Sequence, residues 1–316
     1  LDDWPSAKRI TGLPSGAAAW AIAQRVDRPT LVVVPTPAEA NTVANELRFH
    51  LQDSVPVCAF PPDDVRPYDG LSPHPDIVRQ RMVAVIQLHQ NAPSVIVTSA
   101  RGFMHKVLDA KALEQLTQQI RVGDEYERDA LVQSWIRCGY HAVSTVEEPG
   151  TVSSRGAVID LWPVGSPFPV RMEFFDDEVE AIRKLDVHSQ RSDQPISSIT
   201  VPPAREAVPT PEALQRLSAH TQEMIDEMGG GQTTRRSVLQ DLRQGLWFPG
   251  AEDYLGAMWG LVPLWTLSKR VIAIDPEEVF GRLASFSGSI HQASVTTPCT
   301  GIVFGMPNLS HRAIRS

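Results

Sequence analysis

One stretch constrains this chain more than any other: Ser153 to Leu185, SSRGAVIDLWPVGSPFPVRMEFFDDEVEAIRKL. It holds three runs of strand-like residues joined by two turn signals. The first run, Ser153 to Trp162, is apolar and β-branched, and Pro163, Gly165, Ser166 and Pro167 break it. The second, Pro169 to Phe175, alternates. Val170, Met172 and Phe174 point one way and Arg171, Glu173 and Phe175 the other, because successive strand side chains leave on opposite faces. Asp176-Asp177 is a two-residue turn signal, and Glu178 to Leu185 resumes as a third run. The simplest outcome is a three-strand meander with one apolar face. Its other face carries an arginine, a carboxylate and a phenylalanine. Those residue types suit a docking surface, since aromatic and arginine side chains dominate interface energetics. The competing reading is a surface ion pair beside a core Phe.

The residues ahead of this stretch alternate between helix and strand. Gly16 to Arg25 is alanine-rich and helical by propensity. Leu31 to Val34 is an unbroken apolar run, as in a strand buried on both faces. Pro37 to Leu51 follows as a helix, with Pro at its start and Val43, Leu47 and Leu51 four apart. Val55 to Phe60 is a strand, Asp76 to His89 a helix, and Ser94 to Thr98 another buried strand. This order implies an α/β fold with a parallel sheet covered on both faces. Such sheets bind phosphates where the first strand turns into the first helix, here Thr11 to Ala18, TGLPSGAA. Gly12, Ser15 and Gly16 outline a phosphate loop, but Ala17 and Ala18 stand where a Lys and a Ser/Thr would be needed. A methyl group neither neutralises phosphate nor ligates Mg²⁺, so the loop is degenerate and ATP is not expected there.

Composition shifts near Arg101 to Thr117, which places a first boundary. The expected organisation is 1–116, 117–202 and 203–316. The middle part begins with a strand over Thr117 to Val122 and a helix over Glu125 to Cys138, ended by Gly139. It carries 8 Lys/Arg and 14 Asp/Glu, a balance that suits a protein partner better than a duplex. A linker then leads into a helix over Glu212 to Met228, and Gly229 to Thr234 reads as a flexible break. The aromatic run from Leu246 to Trp265 is expected to pack against the first sheet. Val271 to Ile274 reads as a strand meeting a helix N-terminus at Pro276.

The whole chain of 316 residues has net charge −8, which argues against a general binder of nucleic-acid backbone. Its three cysteines, Cys58, Cys138 and Cys299, form no pairable or zinc-binding pattern, and a reducing cytoplasm fits them. No signal peptide and no membrane-spanning apolar run is found. The scattered histidines, among them His50, His74, His89 and His105, share no metal-ligand spacing. Asp63-Asp64 and Asp176-Asp177 read as solvated turn formers. Cys58 reads as a small core residue. Trp247, Phe248, Trp259 and Trp265 lack the interleaved Lys/Arg of a base-stacking platform and read as core.

Three segments carry a family resemblance: Phe60 to Leu88, with its acidic loop, Pro-Tyr, Ser-Pro and a helix with paired arginines; Ser154 to Ser192; and Val201 to Thr210. Together they resemble the N-terminal, UvrB-like module of the bacterial transcription-repair coupling factor (Mfd). The resemblance implies a nucleotide-fold domain with a degenerate phosphate loop, split in sequence around a small α+β middle domain. That middle domain would dock the UvrA protein. Arg155 of the S-R-G-A run, Arg171 of V-R-M-E-F-F and Phe175, its second Phe, are implied as the partner-binding residues. Guanidinium bonds to partner carboxylates, with Phe175 as apolar anchor, are the implied physics. Other domains of the full-length family protein are implied as further partners. RNA polymerase and DNA would be met through parts absent here, since no helicase motif is present. This segment is therefore expected to be non-catalytic, without cofactor or metal. The alternative is a UvrB-type ATP- and DNA-binding module. Against it, Tyr68-Asp69 runs directly into Gly70-Leu71-Ser72-Pro73 with no tyrosine cluster.

Overall fold

In the computed structural model, residues 9–10, 13, 16–52, 54–65, 70–227, 249–287 and 302–304 are described. The chain divides into two compact units. One comprises Leu1–Asp63, Gln87–Lys106 and Pro263–Ser316, the other Asp64–Ile86 and Val107–Val262.

The first unit is built on a six-stranded parallel sheet. Its strands run in the order Arg9–Ile10, Ile302–Phe304, Arg270–Ile274, Pro29–Val34, Ser94–Ser99, Val57–Phe60. Pro29–Val34 and Ser94–Ser99 are buried at every position, so both their faces are covered, as the apolar runs at their centres predict. Val32, Val34, Val95, Val97 and Ile272 pack against Ile22 of helix Ala17–Ala23 and Ala44, Leu47 and Leu51 of helix Pro37–Leu51. That second helix starts where its chemistry says it should. Thr36 Oγ1 accepts from the Glu39 N–H at 3.3 Å and donates to the Glu39 carboxylate at 2.5 Å, with Pro37 at the first helical position.

The second unit is built on a sheet of six strands in the order Ser192–Ile196, Glu178–Leu185, Val170–Phe175, Val158–Trp162, Thr151–Arg155, His141–Ala142. All neighbours are antiparallel except the last pair. Two sequence expectations are corrected here. The meander is larger than three strands, and Ser153 to Trp162 is not one strand. Arg155 pairs with Val158, so Gly156-Ala157 is a two-residue hairpin loop, with Gly156 at φ 60. The apolar pattern reads straight through that loop because only the glycine marks it. Helix Arg128–Arg137 places Leu131 and Trp135 in one core with the inner face of the sheet, and Trp135 Nε1 donates to Gln118 Oε1 at 2.8 Å. Tyr140 is buried with its hydroxyl donating to Pro202 O at 2.8 Å and accepting from the Val164 N–H at 3.2 Å. Burial raises its pKa above the ordinary tyrosine value.

The aromatic run supplies a third correction. Leu255, Met258 and Trp259 belong to the core of the second unit, not to the parallel sheet. Trp259 Nε1 donates to Val208 O at 3.2 Å, and the Arg216 guanidinium lies 5.0 Å over its ring. The indole needs a buried acceptor, and the segment after the antiparallel sheet provides one. Trp265, in the first unit, stacks on Phe103 at 5.0 Å. Trp247, Phe248 and the Gly229 to Thr234 stretch lie outside the described residues. The expected middle segment 117–202 lies wholly within the second unit, which also takes in 64–86 and 203–262.

Gly139, just past helix Arg128–Arg137, sits at φ 96, and a Cβ there would come within 2.8 Å of Arg205 Cγ. Gly139→Ala is therefore expected to destabilise by roughly 1–3 kcal/mol, from the left-handed backbone alone. Urea unfolding of the variant against the parent checks it.

Candidate functional site

The antiparallel sheet of the second unit has two chemically different faces. Inward point Val152, Ile159, Leu161, Val170, Met172, Phe174, Val179 and Ile182, all buried. The other face follows from register, because residues directly opposite one another share a side of the sheet. Ser153 pairs with Asp160, Asp160 with Arg171, and Arg171 with Arg183. In the next row Arg155 pairs with Val158, Val158 with Glu173, and Glu173 with Ala181. Five charged side chains from four strands thus occupy one face.

Their bonding centres on Asp160. Arg171 donates through Nε to Oδ1 at 2.6 Å and through Nη2 to Oδ2 at 2.7 Å, a two-pronged bond. Its Nη1 donates to Gln190 O at 3.2 Å. Arg155 reaches the same carboxylate, Nη2 to Oδ2, at 3.3 Å. Beside them Arg183 pairs with Glu173. The Asp160 bond holds the Arg171 pKa above the ordinary arginine value, with burial opposing.

Exposure separates the three residues that the sequence singles out. The Arg155 side chain is 58% exposed and that of Arg171 only 20%. Phe175 is 70% exposed at the end of its strand. There the chain turns through Asp176, whose φ of 50 an Asp tolerates better than most residues. The structure brings Arg155 and Arg171 together on one carboxylate and leaves Phe175 outward on the same strand as Arg171. The alternation of Val170 to Phe175 holds despite a bulge: Glu173 pairs with Ala181 but Phe174 with Val179. Asp160, only 1% exposed in its side chain, is the residue that sequence reasoning missed. Its signal was a lone carboxylate on the outward parity of V-I-D-L-W.

The other candidates are dispersed. Gly16 at φ 79 precedes helix Ala17–Ala23, whose N-terminus has no side-chain cap. Ala17 and Ala18 are half-buried, and Gly12 and Ser15 lie outside the described residues. Among the described residues no group of His, Cys, Asp and Glu could hold a metal ion, and no helix is long and apolar enough to cross a membrane. Asp63 is not a solvated turn former: its side chain is 30% exposed and lies 3.6 Å from His105 Nδ1. Asp64, in contrast, accepts the His74 N–H at 3.2 Å and is exposed. Burial pushes the Cys58 thiol up to about 11 and moves Cys138 in the same direction. Thiolate is the reactive form, so both are expected to react with a maleimide at neutral pH more slowly in the folded chain than after unfolding, as timed labelling would show.

Comparison with known proteins bears on this face. The UvrB interaction domain family model matches residues 119–206, which include every strand that contributes to it. The chain is 31% identical over 284 residues to the transcription-repair-coupling factor of Myxococcus xanthus, covering 84% of this chain and 24% of that protein. It is 32% identical over 251 residues to the transcription-repair-coupling factor of Haemophilus influenzae, covering 78% and 22%. Against that of Escherichia coli it is 32% identical over 208 residues, covering 66% and 18%. The chain thus spans about a quarter or less of the length of these curated relatives. A domain match over the antiparallel sheet and relatives 31% and 32% identical across 84% and 78% of the chain agree: it belongs to the transcription-repair-coupling factor family.

Proposed function

We propose that this chain is a non-catalytic adaptor module that recruits the UvrA damage-recognition protein during transcription-coupled nucleotide excision repair. The observation that carries the reading is a coincidence of place. The UvrB interaction domain match covers the sheet whose outer face carries an exposed Phe175 on one strand and a half-exposed Arg155 two strands away. Phe175 would fill an apolar pocket of the partner, and Arg155 would meet a carboxylate at its edge. Arg171 already spends three donors inside the chain, so it holds the face in shape more than it reaches outward. Titrating purified UvrA into the chain tests the reading; absence of binding at tens of micromolar would remove it.

The parallel sheet of the first unit is read as a nucleotide fold that has lost its ligand, interrupted in sequence by the middle domain 117–202. The rival, a UvrB-type module using ATP and DNA, lacks a specific observation in its favour. Ala17 and Ala18 supply no positive charge and no metal ligand. Fluorescent ATP with Mg²⁺ is expected to show no micromolar binding. ATP-driven DNA translocation against RNA polymerase is proposed for the whole protein, through parts other than this chain, in the cytoplasm.

A further inference from the structure

The structure assigns Asp160 a role that rests on the docking reading above: it is the positioning residue of the face, acting on the partner through Arg155 and Arg171. Two facts carry this. Its carboxylate is buried, yet it is bound by two guanidiniums from two neighbouring strands, at 2.6 and 2.7 Å from Arg171 and 3.3 Å from Arg155. And those two arginines differ in what they have left to offer. The planar fork of Arg171 is consumed by Asp160 and Gln190 O, while Arg155 makes one longer bond and stays mostly in water.

The consequence is a division of labour between two adjacent rows of the sheet, Arg171 lying in the row of Asp160 and Arg155 in the next. An exposed arginine in isolation samples many rotamers and loses that freedom on docking. Asp160 reduces this loss for Arg155 by tethering one Nη in advance, leaving its other donors to face outward. Arg171 fixes Asp160 in turn, because a two-pronged bond admits one orientation of the carboxylate. The same anion limits the positive charge on display. Two guanidiniums share one carboxylate, so the patch offers about one net cation rather than two. A partner site with a single well-placed carboxylate beside an apolar pocket fits this better than a strongly acidic groove.

The test is a double-mutant cycle on the full chain with UvrA as titrant. Asp160→Asn keeps shape and removes charge, and is expected to weaken affinity about 10-fold, within the coupling expected of residues in one salt-bridge network. In an Arg155→Ala background the same change should have little further effect, whereas with Phe175→Ala the two losses should multiply. An equal loss in both backgrounds would mean that Asp160 acts through the fold at large, and would overturn the proposal. So would unchanged affinity in Asp160→Asn while Arg155→Ala weakens binding; that result leaves the docking reading standing. If neither Arg155→Ala nor Phe175→Ala alters affinity, the docking reading itself fails. A measurement on the parent chain needs no variant to fold: the Nε–H resonances of Arg171 and Arg155 should report restricted side chains. Free rotation of both would also overturn the assignment.

Discussion

Arg81→Met is expected to cost roughly 3–5 kcal/mol of stability, the loss typical of breaking one side of a buried ion pair. Arg81, on helix Pro75–His89, and Glu206, in the segment after strand Ser198–Val201, are 1% and 2% exposed and lie 3.0 Å apart. Both belong to the second unit. Each charge has been taken out of water, and in the interior the Coulombic attraction of the other offsets that cost. Removing the guanidinium takes a bonded cation away from the Glu206 carboxylate and puts an apolar thioether in its place. The paired change Arg81→Met with Glu206→Leu should recover most of the loss, because neither desolvated charge remains. Urea unfolding of parent, single and double variants measures all three. A double variant no better than the single one would show that the loss came from packing, not charge. Arg79, two residues away, pairs at 2.6 Å with Asp76, whose side chain is 54% exposed, so Asp76→Ala is expected to cost only about 1 kcal/mol or less.

Phe175→Ala should weaken UvrA binding by roughly 2 kcal/mol, about 30-fold, with the melting temperature nearly unchanged. The two readouts separate because the ring is 70% exposed in the free chain and so contributes little to folding. Its apolar area would leave water only on docking. Arg155→Ala should behave in the same way with a smaller loss, since that side chain makes one 3.3 Å bond and is otherwise solvated. Arg171→Ala should differ from both. It removes the two-pronged bond to a buried carboxylate, so stability and affinity should fall together. Calorimetric titration and thermal melts on the three variants settle the pattern. A Phe175→Ala chain that binds as the parent does would leave the face without an anchor.

Much of the architecture can be read from local pattern. Helix Pro37–Leu51 has the bounds that Pro37 and the Val43, Leu47, Leu51 spacing predict. The buried strands at Pro29–Val34 and Ser94–Ser99 follow from apolar runs that leave no solvent face. Arg171, Glu173 and Phe175 share a side because a strand has a period of two, and the bulge beside them does not change that. What local pattern missed was of another kind. The Gly156 hairpin was hidden inside an apolar run. The aromatic segment around Trp259 takes its place through core packing of Leu255, Met258 and Trp259 and a bond from the indole to distant Val208 O.

The order of residues along the chain therefore decides which segments pleat or coil and which side of a strand is wet, since both depend on periodicity over a few neighbours. It also shows that residues 17 and 18 are alanines, side chains with neither a cation nor a metal ligand to offer. Partners across strands are another matter. That Arg155 and Arg171 meet on Asp160, and that Arg81 meets Glu206 out of water 125 positions later, depends on strand register and core packing. Those are set by long-range pairings whose energies no window of sequence contains.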